Sequence, residues 1–190
     1  MKISNKSKDM HCRLIFTLSL VVILLLIGCA KPKNNNTDPL TNIKKSLFAS
    51  IERPNIPVPE FKITDINGKV ITNEEFKNIA YIVQGFTYGC SSCEHEVKTL
   101  NEIYSQYKDK GLEIITIDIN GESNENVRDT KEKYNGGDWI WAYDTDNIGV
   151  KFGMKSLEST YLINKEGIIV YADSILTEPD VLAEEVKKVI

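Results

Sequence analysis

The chain has 190 residues and carries 23 Lys and Arg against 27 Asp and Glu, a formal net charge of −4, with 42% hydrophobic residues. At roughly 100–200 residues per domain, this is room for one globular domain and a targeting segment, but not for a second core. The mild acidity excludes the basic footprint of a nucleic-acid binder and the hydrophobic fraction excludes a disordered chain, while 11 glycines without repeat spacing exclude collagen-like, solenoid and propeller arrays.

Residues 1–13 carry Lys2, Lys6, Lys8 and Arg13 against Asp9, and residues 14–27 form an almost unbroken apolar run. That run is shorter than the roughly 20 residues of a membrane-spanning helix, and it ends in Leu26-Ile27-Gly28-Cys29, a small residue followed by cysteine. The ending resembles the lipobox of bacterial lipoproteins. The resemblance implies cleavage before Cys29, acylation of that cysteine, and a mature protein anchored by lipid on the extracytoplasmic side of the cell membrane. The alternative is an uncleaved signal anchor. Residues 1–28 are thus expected to be a signal peptide and residues 29–54 a tether: 30–39 are polar without hydrophobic period, 41–51 suit a short amphipathic helix, and Pro54, Pro57 and Pro59 stop it. The folded domain is expected over 55–190.

Cys12 leaves with the signal and Cys29 is taken by lipid, so Cys90 and Cys93 are the cysteines that remain. A disulfide around a two-residue loop does little for unfolded-state entropy, so this pair points to chemistry rather than to a structural staple.

Within the domain, residues 61–65 alternate apolar and polar, Asn67-Gly68 marks a turn, and residues 70–72 return, which predicts a hairpin. A brief helical turn over 73–77 leads to the apolar stretch 79–86, a buried strand. Immediately after it come Cys90-Ser-Ser-Cys93 and then Val97, Leu100, Ile103, Tyr104 and Tyr107 at helical spacing. Gly111 ends that helix and residues 112–118 form a second buried strand, completing a βαβ unit of right-handed crossover. A surface helix over 123–134 is closed by Gly136-Gly137, and a strand over 139–143 follows. Trp139, Trp141 and Tyr143 on that strand suit core and edge packing better than a ligand platform. A short helix over 147–152, a hairpin over 159–172 and an amphipathic closing helix over 179–190 complete the chain.

This order, with Cys-x-x-Cys opening the first long helix, resembles the thioredoxin superfamily, and more closely the membrane-tethered TlpA/ResA-like redoxins of AhpC/TSA type. The likeness runs from Pro59 onward through three pieces: Pro59-Glu-Phe-Lys-Ile-Thr-Asp-Ile-Asn-Gly68, Gly85-Phe-Thr-Tyr-Gly-Cys-Ser-Ser-Cys-Glu-His-Glu96 and Thr160-Tyr-Leu-Ile-Asn-Lys-Glu-Gly167. It implies an α/β thioredoxin-like fold, a central mixed β-sheet flanked by helices with an added N-terminal β-hairpin. It also implies a thiol-disulfide oxidoreductase acting on disulfide or dithiol protein clients, fed by a membrane electron donor. A monomer that needs no cofactor is expected.

The placement of the cysteines has its own physical logic. At a helix N-terminus the unpaired N–H groups and the dipole favour an anion, so Cys90 is expected as the nucleophile and Cys93, more buried, as the resolving thiol. With no Lys, Arg or His between them, a reductant or mild donor is expected. Glu96 lies three residues after Cys93 on the same helix face, where ResA-like proteins carry a glutamate thought to relay protons. The alternative is a solvated first-turn carboxylate. Gln84 stands where thioredoxin has a buried acid.

The sequence departs from the family at two places that the resemblance assigns to client binding. Gly89, preceded by Tyr88, stands where an aromatic residue usually precedes the first cysteine. In Leu157-Glu-Ser-Thr-Tyr161, Glu158 stands before Ser159 where a cis-proline is expected. Three rival readings follow from the residues. One is a catalytically silent, partner-binding redoxin; one is a metal site of Cys90, Cys93 and His95 with Glu158; one is a peroxidase suggested by Thr87-x-x-Cys90, which lacks the proline before the threonine and a clearly placed arginine, Arg128 on the surface helix being the only one past Arg53. Haem attachment is excluded, because Glu94 stands where C-x-x-C-H needs histidine.

Overall fold

The computed structural model describes residues 51–121 and 123–190. The signal segment, nearly all of the tether and the helix expected over 41–51 fall outside the described residues. The described elements are β1 (Ile56–Pro57), β2 (Lys62–Asp65), β3 (Val70–Thr72), β4 (Ala80–Phe86), α1 (Cys93–Tyr107), β5 (Leu112–Asp118), α2 (Asn124–Lys133), β6 (Ile140–Tyr143), α3 (Ile148–Lys151), β7 (Thr160–Ile163), β8 (Ile168–Asp173) and α4 (Pro179–Val186).

The strands form one eight-stranded sheet in the order β1-β8-β7-β4-β5-β6-β2-β3. β4, β5 and β6 run parallel, joined through α1 and α2, whereas β7 lies antiparallel on the other side of β4. β4 is therefore central and buried at every position. Its period of two divides the core. Ala80, Ile82 and Phe86 face a cluster built with Val97, Leu100, Ile103 and Tyr107 of α1, Val127 of α2, and Leu182 and Val186 of α4. Tyr81 and Val83 face a second cluster with Phe61, Ile63, Ile71 and Phe76 of the hairpin region, and with Ile148 and Phe152.

The hairpin forms as expected and extends the sheet by pairing β2 with β6. Thr72 and Glu75 cap the 3-10 turn that follows it reciprocally, and Asn73 Oδ1 accepts from Phe61 N at 2.7 Å to tie the hairpin's two ends. Residues just before the hairpin also join the sheet: Glu52 exchanges both backbone hydrogen bonds with Ala172 at 2.8 Å and the Arg53 guanidinium pairs with Glu185. The proline-rich stretch is also more than a connector: Ile56 and Pro57 form a short edge strand opposite Ile169 and Ile168, a place where a residue lacking an N–H is tolerated.

Gly136-Gly137 does more than end α2. The Trp141 ring lies where a Cβ on Gly136 would stand, and the Trp139 ring lies likewise against Gly137. The two indoles stack with centroids 5.6 Å apart, and Trp139 Nε1 donates to Thr116 Oγ1 at 3.0 Å. Gly136→Ala is therefore expected to displace Trp141 and to lower the unfolding free energy by about 1–3 kcal/mol, the usual cost of overpacking. Urea denaturation followed by tryptophan fluorescence checks this, with a lower midpoint at unchanged slope as the expected outcome.

Candidate active site

The site forms where β4 gives way to α1. Packing against the sheet fixes the helix axis, so the first turn of α1 points its free N–H groups at the residues that follow Phe86. Cys93 N donates to Cys90 Sγ at 3.2 Å. The two cysteines form a disulfide, with Cα atoms 5.4 Å apart. Cys90 is 8% exposed and Cys93 is 0% exposed. From the C-terminal cap of α2, the Tyr134 hydroxyl donates to the Cys90 carbonyl at 2.8 Å.

Gly89 adopts φ +78°, in the left-handed region, with no atom near the place of a missing Cβ. A residue with a side chain is strained there by about 1–2 kcal/mol. This accounts for glycine at a position where an aromatic residue was expected. Tyr88 beside it is 47% exposed. A cavity of about 540 Å³ opens between this segment and α2, lined by Tyr88, Gly89, Asp129, Thr130, Lys133 and Tyr134 among others.

Glu96 is not a solvated carboxylate. It is 0% exposed, accepts from Thr177 N at 2.6 Å through Oε1, and leaves Oε2 buried without a hydrogen-bond partner. Burial pushes its pKa up to about 8; the Thr177 N–H opposes the rise, and the charges of Asp173, Glu158 and Glu178 add to it. Glu96 is thus a buried acid that titrates near neutrality, one helical turn from Cys93.

The loop before β7 crosses the open side of the disulfide. The Leu157 carbonyl lies 4.0 Å from Cys93 Sγ, and the peptide bonds of the described residues, Leu157-Glu158 included, are trans. Glu158 accepts a hydrogen bond from the Ser92 hydroxyl, and Ser92 Oγ in turn lies 3.3 Å from Cys90 Sγ. Ser159 is placed differently. It is buried, its hydroxyl donates to the Ser156 carbonyl at 2.8 Å, and its carbonyl accepts from Gly85 N at 2.9 Å, so it shapes the loop and docks it on β4.

The rival constellations do not assemble. Among the described residues no group of three or more His, Cys, Asp or Glu side chains is arranged to hold a metal ion, and His95 is exposed. The Arg128 guanidinium donates to the Ile66 carbonyl at the hairpin turn, and Thr87 Oγ1 accepts from Asn120 Nδ2 at 2.6 Å. Gln84 is buried with its amide on the Gly85 carbonyl. Tyr134 and Thr177 escaped sequence reasoning, because only the tertiary fold brings them to the cysteines and to Glu96.

A thioredoxin-like fold with a Cys-x-x-Cys disulfide at the strand-to-helix junction defines a thiol-disulfide oxidoreductase. The chain belongs to the AhpC/TSA family, which it matches over residues 54–172. It is 30% identical over 162 residues to the thiol-disulfide oxidoreductase ResA of Bacillus anthracis, covering 83% of this chain and 86% of that one. ResA of Bacillus thuringiensis subsp. konkukian is 28% identical over 170 residues, covering 88% and 94%. Among solved structures, a putative protein disulfide isomerase from Bacteroides thetaiotaomicron shares the fold with a TM-score of 0.65 at 22% identity, covering 72% of this chain and 89% of that one.

A carboxyl whose folded pKa is raised from its ordinary 4.5 to about 8 binds more protons in the native state across that interval. Its stabilisation is full below the unfolded pKa and is lost as pH rises toward the folded one. Unfolding free energy is expected to fall by up to about 1.4 kcal/mol per pH unit between pH 5 and 8, and Glu96→Gln is expected to remove that slope. Urea titrations of both proteins at a series of pH values check it.

Proposed function

We propose that the protein is a lipid-anchored, extracytoplasmic reductant of disulfides in exported proteins, with Cys90 as nucleophile, Cys93 as resolving thiol and Glu96 as the proton carrier. The observation that carries the reading is the junction itself: one sulfur on the first-turn N–H of α1, the other buried one turn ahead of a buried carboxyl that titrates near neutrality.

In the reducing direction, the Cys90 thiolate attacks a client disulfide; the Cys90–client bond forms and one client thiolate leaves. Cys93 then attacks Cys90 Sγ, the internal disulfide forms and the second client thiolate leaves. Two electrons pass from the Cys90/Cys93 dithiol to the client disulfide. Glu96 takes the proton that Cys93 sheds and returns one when a donor re-reduces the pair, a role suited to a group whose pKa lies near the working pH. Tyr88, Gly89 and Glu158 are the client-facing residues of this reading, and Ser159 holds the Glu158 loop in place. The membrane location rests on the Leu26-Ile27-Gly28-Cys29 signature. No helix among the described residues is long and apolar enough to cross a membrane.

Cys90→Ser is expected to abolish exchange with a disulfide-bonded client, while Cys93→Ser is expected to accumulate mixed disulfides visible on non-reducing gels. Activity retained by the Cys90→Ser protein overturns the assignment. For the direction of electron flow, equilibration in dithiothreitol buffers is expected to give a potential at or below about −220 mV, and a value near −120 mV reverses it.

Cys29→Ala is expected to prevent fatty-acid labelling and processing of the precursor, read by metabolic labelling and membrane fractionation.

A further inference from the structure

Ser92 stands at the N-terminus of α1, where a serine commonly caps the helix, yet its backbone is helical and its side chain makes no capping hydrogen bond. Its hydroxyl is used sideways. It donates to Glu158 Oε1, and its oxygen lies 3.3 Å from Cys90 Sγ. A serine hydroxyl carries one proton. With that proton committed to the carboxylate, the side of Oγ turned to the sulfur is a lone pair.

We propose that Glu158, through Ser92, is a positioning residue that holds reduced Cys90 as a thiol and thereby makes the pair a stronger reductant and a slower nucleophile. The inference rests on the oxidoreductase reading above. In the reduced protein, a Cys90 S–H can donate to the Ser92 oxygen, whereas a Cys90 thiolate faces a lone pair backed by a carboxylate. The Cys93 N–H favours the thiolate, so the two influences oppose each other at one sulfur.

On the loop that carries Glu158, Lys155 is paired with Glu52 at 2.6 Å. On α1, Glu96 is buried and acidic, Glu94 is held by Lys98 at 2.7 Å, and His95 is exposed. Asp173 at the end of β8 and Glu178 before α4 add negative potential at Glu96. At the C-terminal cap of α2, Tyr134 gives its hydroxyl to the Cys90 carbonyl, and the Lys133 ammonium lies over the Tyr134 ring at 5.0 Å.

Reduction of the disulfide takes two electrons and two protons from a dithiol, which becomes a disulfide. Whatever favours a thiolate at Cys90 stabilises the reduced state and raises the potential. Glu158 acts in the opposite sense. In Glu158→Gln the amide can donate to Ser92 Oγ, which frees the hydroxyl proton to turn to the sulfur.

The test is a double-mutant cycle on the full chain in detergent, comparing wild type, Glu158→Gln, Ser92→Ala and the double variant. Each is reduced, and Cys90 alkylation by iodoacetamide is followed against pH by peptide mass spectrometry; each is then equilibrated with dithiothreitol. Glu158→Gln is expected to move the Cys90 profile down by about one pH unit, a tenfold gain in alkylation rate on the acid limb. A tenfold change in the exchange equilibrium corresponds to a potential about 30 mV less negative. In the Ser92→Ala background the same substitution is expected to change the rate less than about twofold, because the intermediary is gone.

A Glu158→Gln effect of equal size without Ser92, no shift, or a shift to higher pH overturns the proposal. Both side chains are only half-buried; Glu158→Asp, whose carboxylate is withdrawn from Ser92, is the second variant and is expected to shift the profile in the same direction. Loss of exchange in Cys90→Ser together with an unmoved Glu158→Gln profile discards this inference alone. Exchange retained by Cys90→Ser discards the oxidoreductase reading itself, whatever the profile.

Discussion

The contact between the Cys93 N–H and Cys90 Sγ depends on two elements that cannot easily move. β4 is buried end to end between β5 and β7, and α1 is bound to the same face of the sheet by Val97, Leu100, Ile103 and Tyr107. The segment between them is short, so the ends of these two elements leave little freedom to the six residues that carry the chemistry. A sulfur held against a helix N-terminus gains about 0.3–1 kcal/mol for its anionic form when exposed, and up to about 2 kcal/mol when partly buried. The fold thus supplies a modest, fixed bias toward thiolate before any side chain contributes.

Acidic side chains gather around Glu96, one turn behind that junction. Glu96, Glu158, Asp173 and Glu178 interact electrostatically, with Glu96 at the centre and fully buried. A buried carboxyl with one oxygen on a backbone N–H and the other unpartnered lies far from its preferred environment. Neutralisation relieves that cost, which is why protonation near neutral pH follows from the packing. The site therefore joins a helix terminus that favours a negative sulfur to a carboxyl that burial and the surrounding acids keep protonated toward neutral pH.

How much of this was legible follows from where the signals lie. β4 and β5 were readable as short apolar runs and α1 by its apolar residues at helical spacing, and the Asn67-Gly68 turn fixes the first hairpin locally. The edge strand at Ile56 was not, because two residues between prolines carry no period and their pairing partners lie in β8. The place of Glu96 on the helix face of Cys93 was readable from its spacing, whereas its hydrogen bond from the Thr177 N–H, 81 residues further along the chain, was not. Glu158 stood out as an acid where the family expects proline. Its target, the Ser92 hydroxyl, is 66 residues away and shows only once β7 has docked beside β4. The role of Gly136 was hidden for the same reason: a glycine after a helix reads as a terminator, and the indole that needs its missing Cβ belongs to the next strand.

The difference in exposure between the two sulfurs orders the proposed reaction. Cys90 is 8% exposed, while Cys93 is fully buried with the Leu157 carbonyl 4.0 Å from its sulfur. In the proposed exchange a client sulfur meets Cys90 first, and Cys93 acts on a sulfur already attached there. This separates two properties that a single exposed dithiol would merge. In that scheme the first attack depends on the ionisation of Cys90, and the second on proton removal from Cys93, the step proposed for Glu96. On this proposal Glu158, hydrogen-bonded to Ser92 beside Cys90, and the buried Glu96 act on different steps of one exchange cycle.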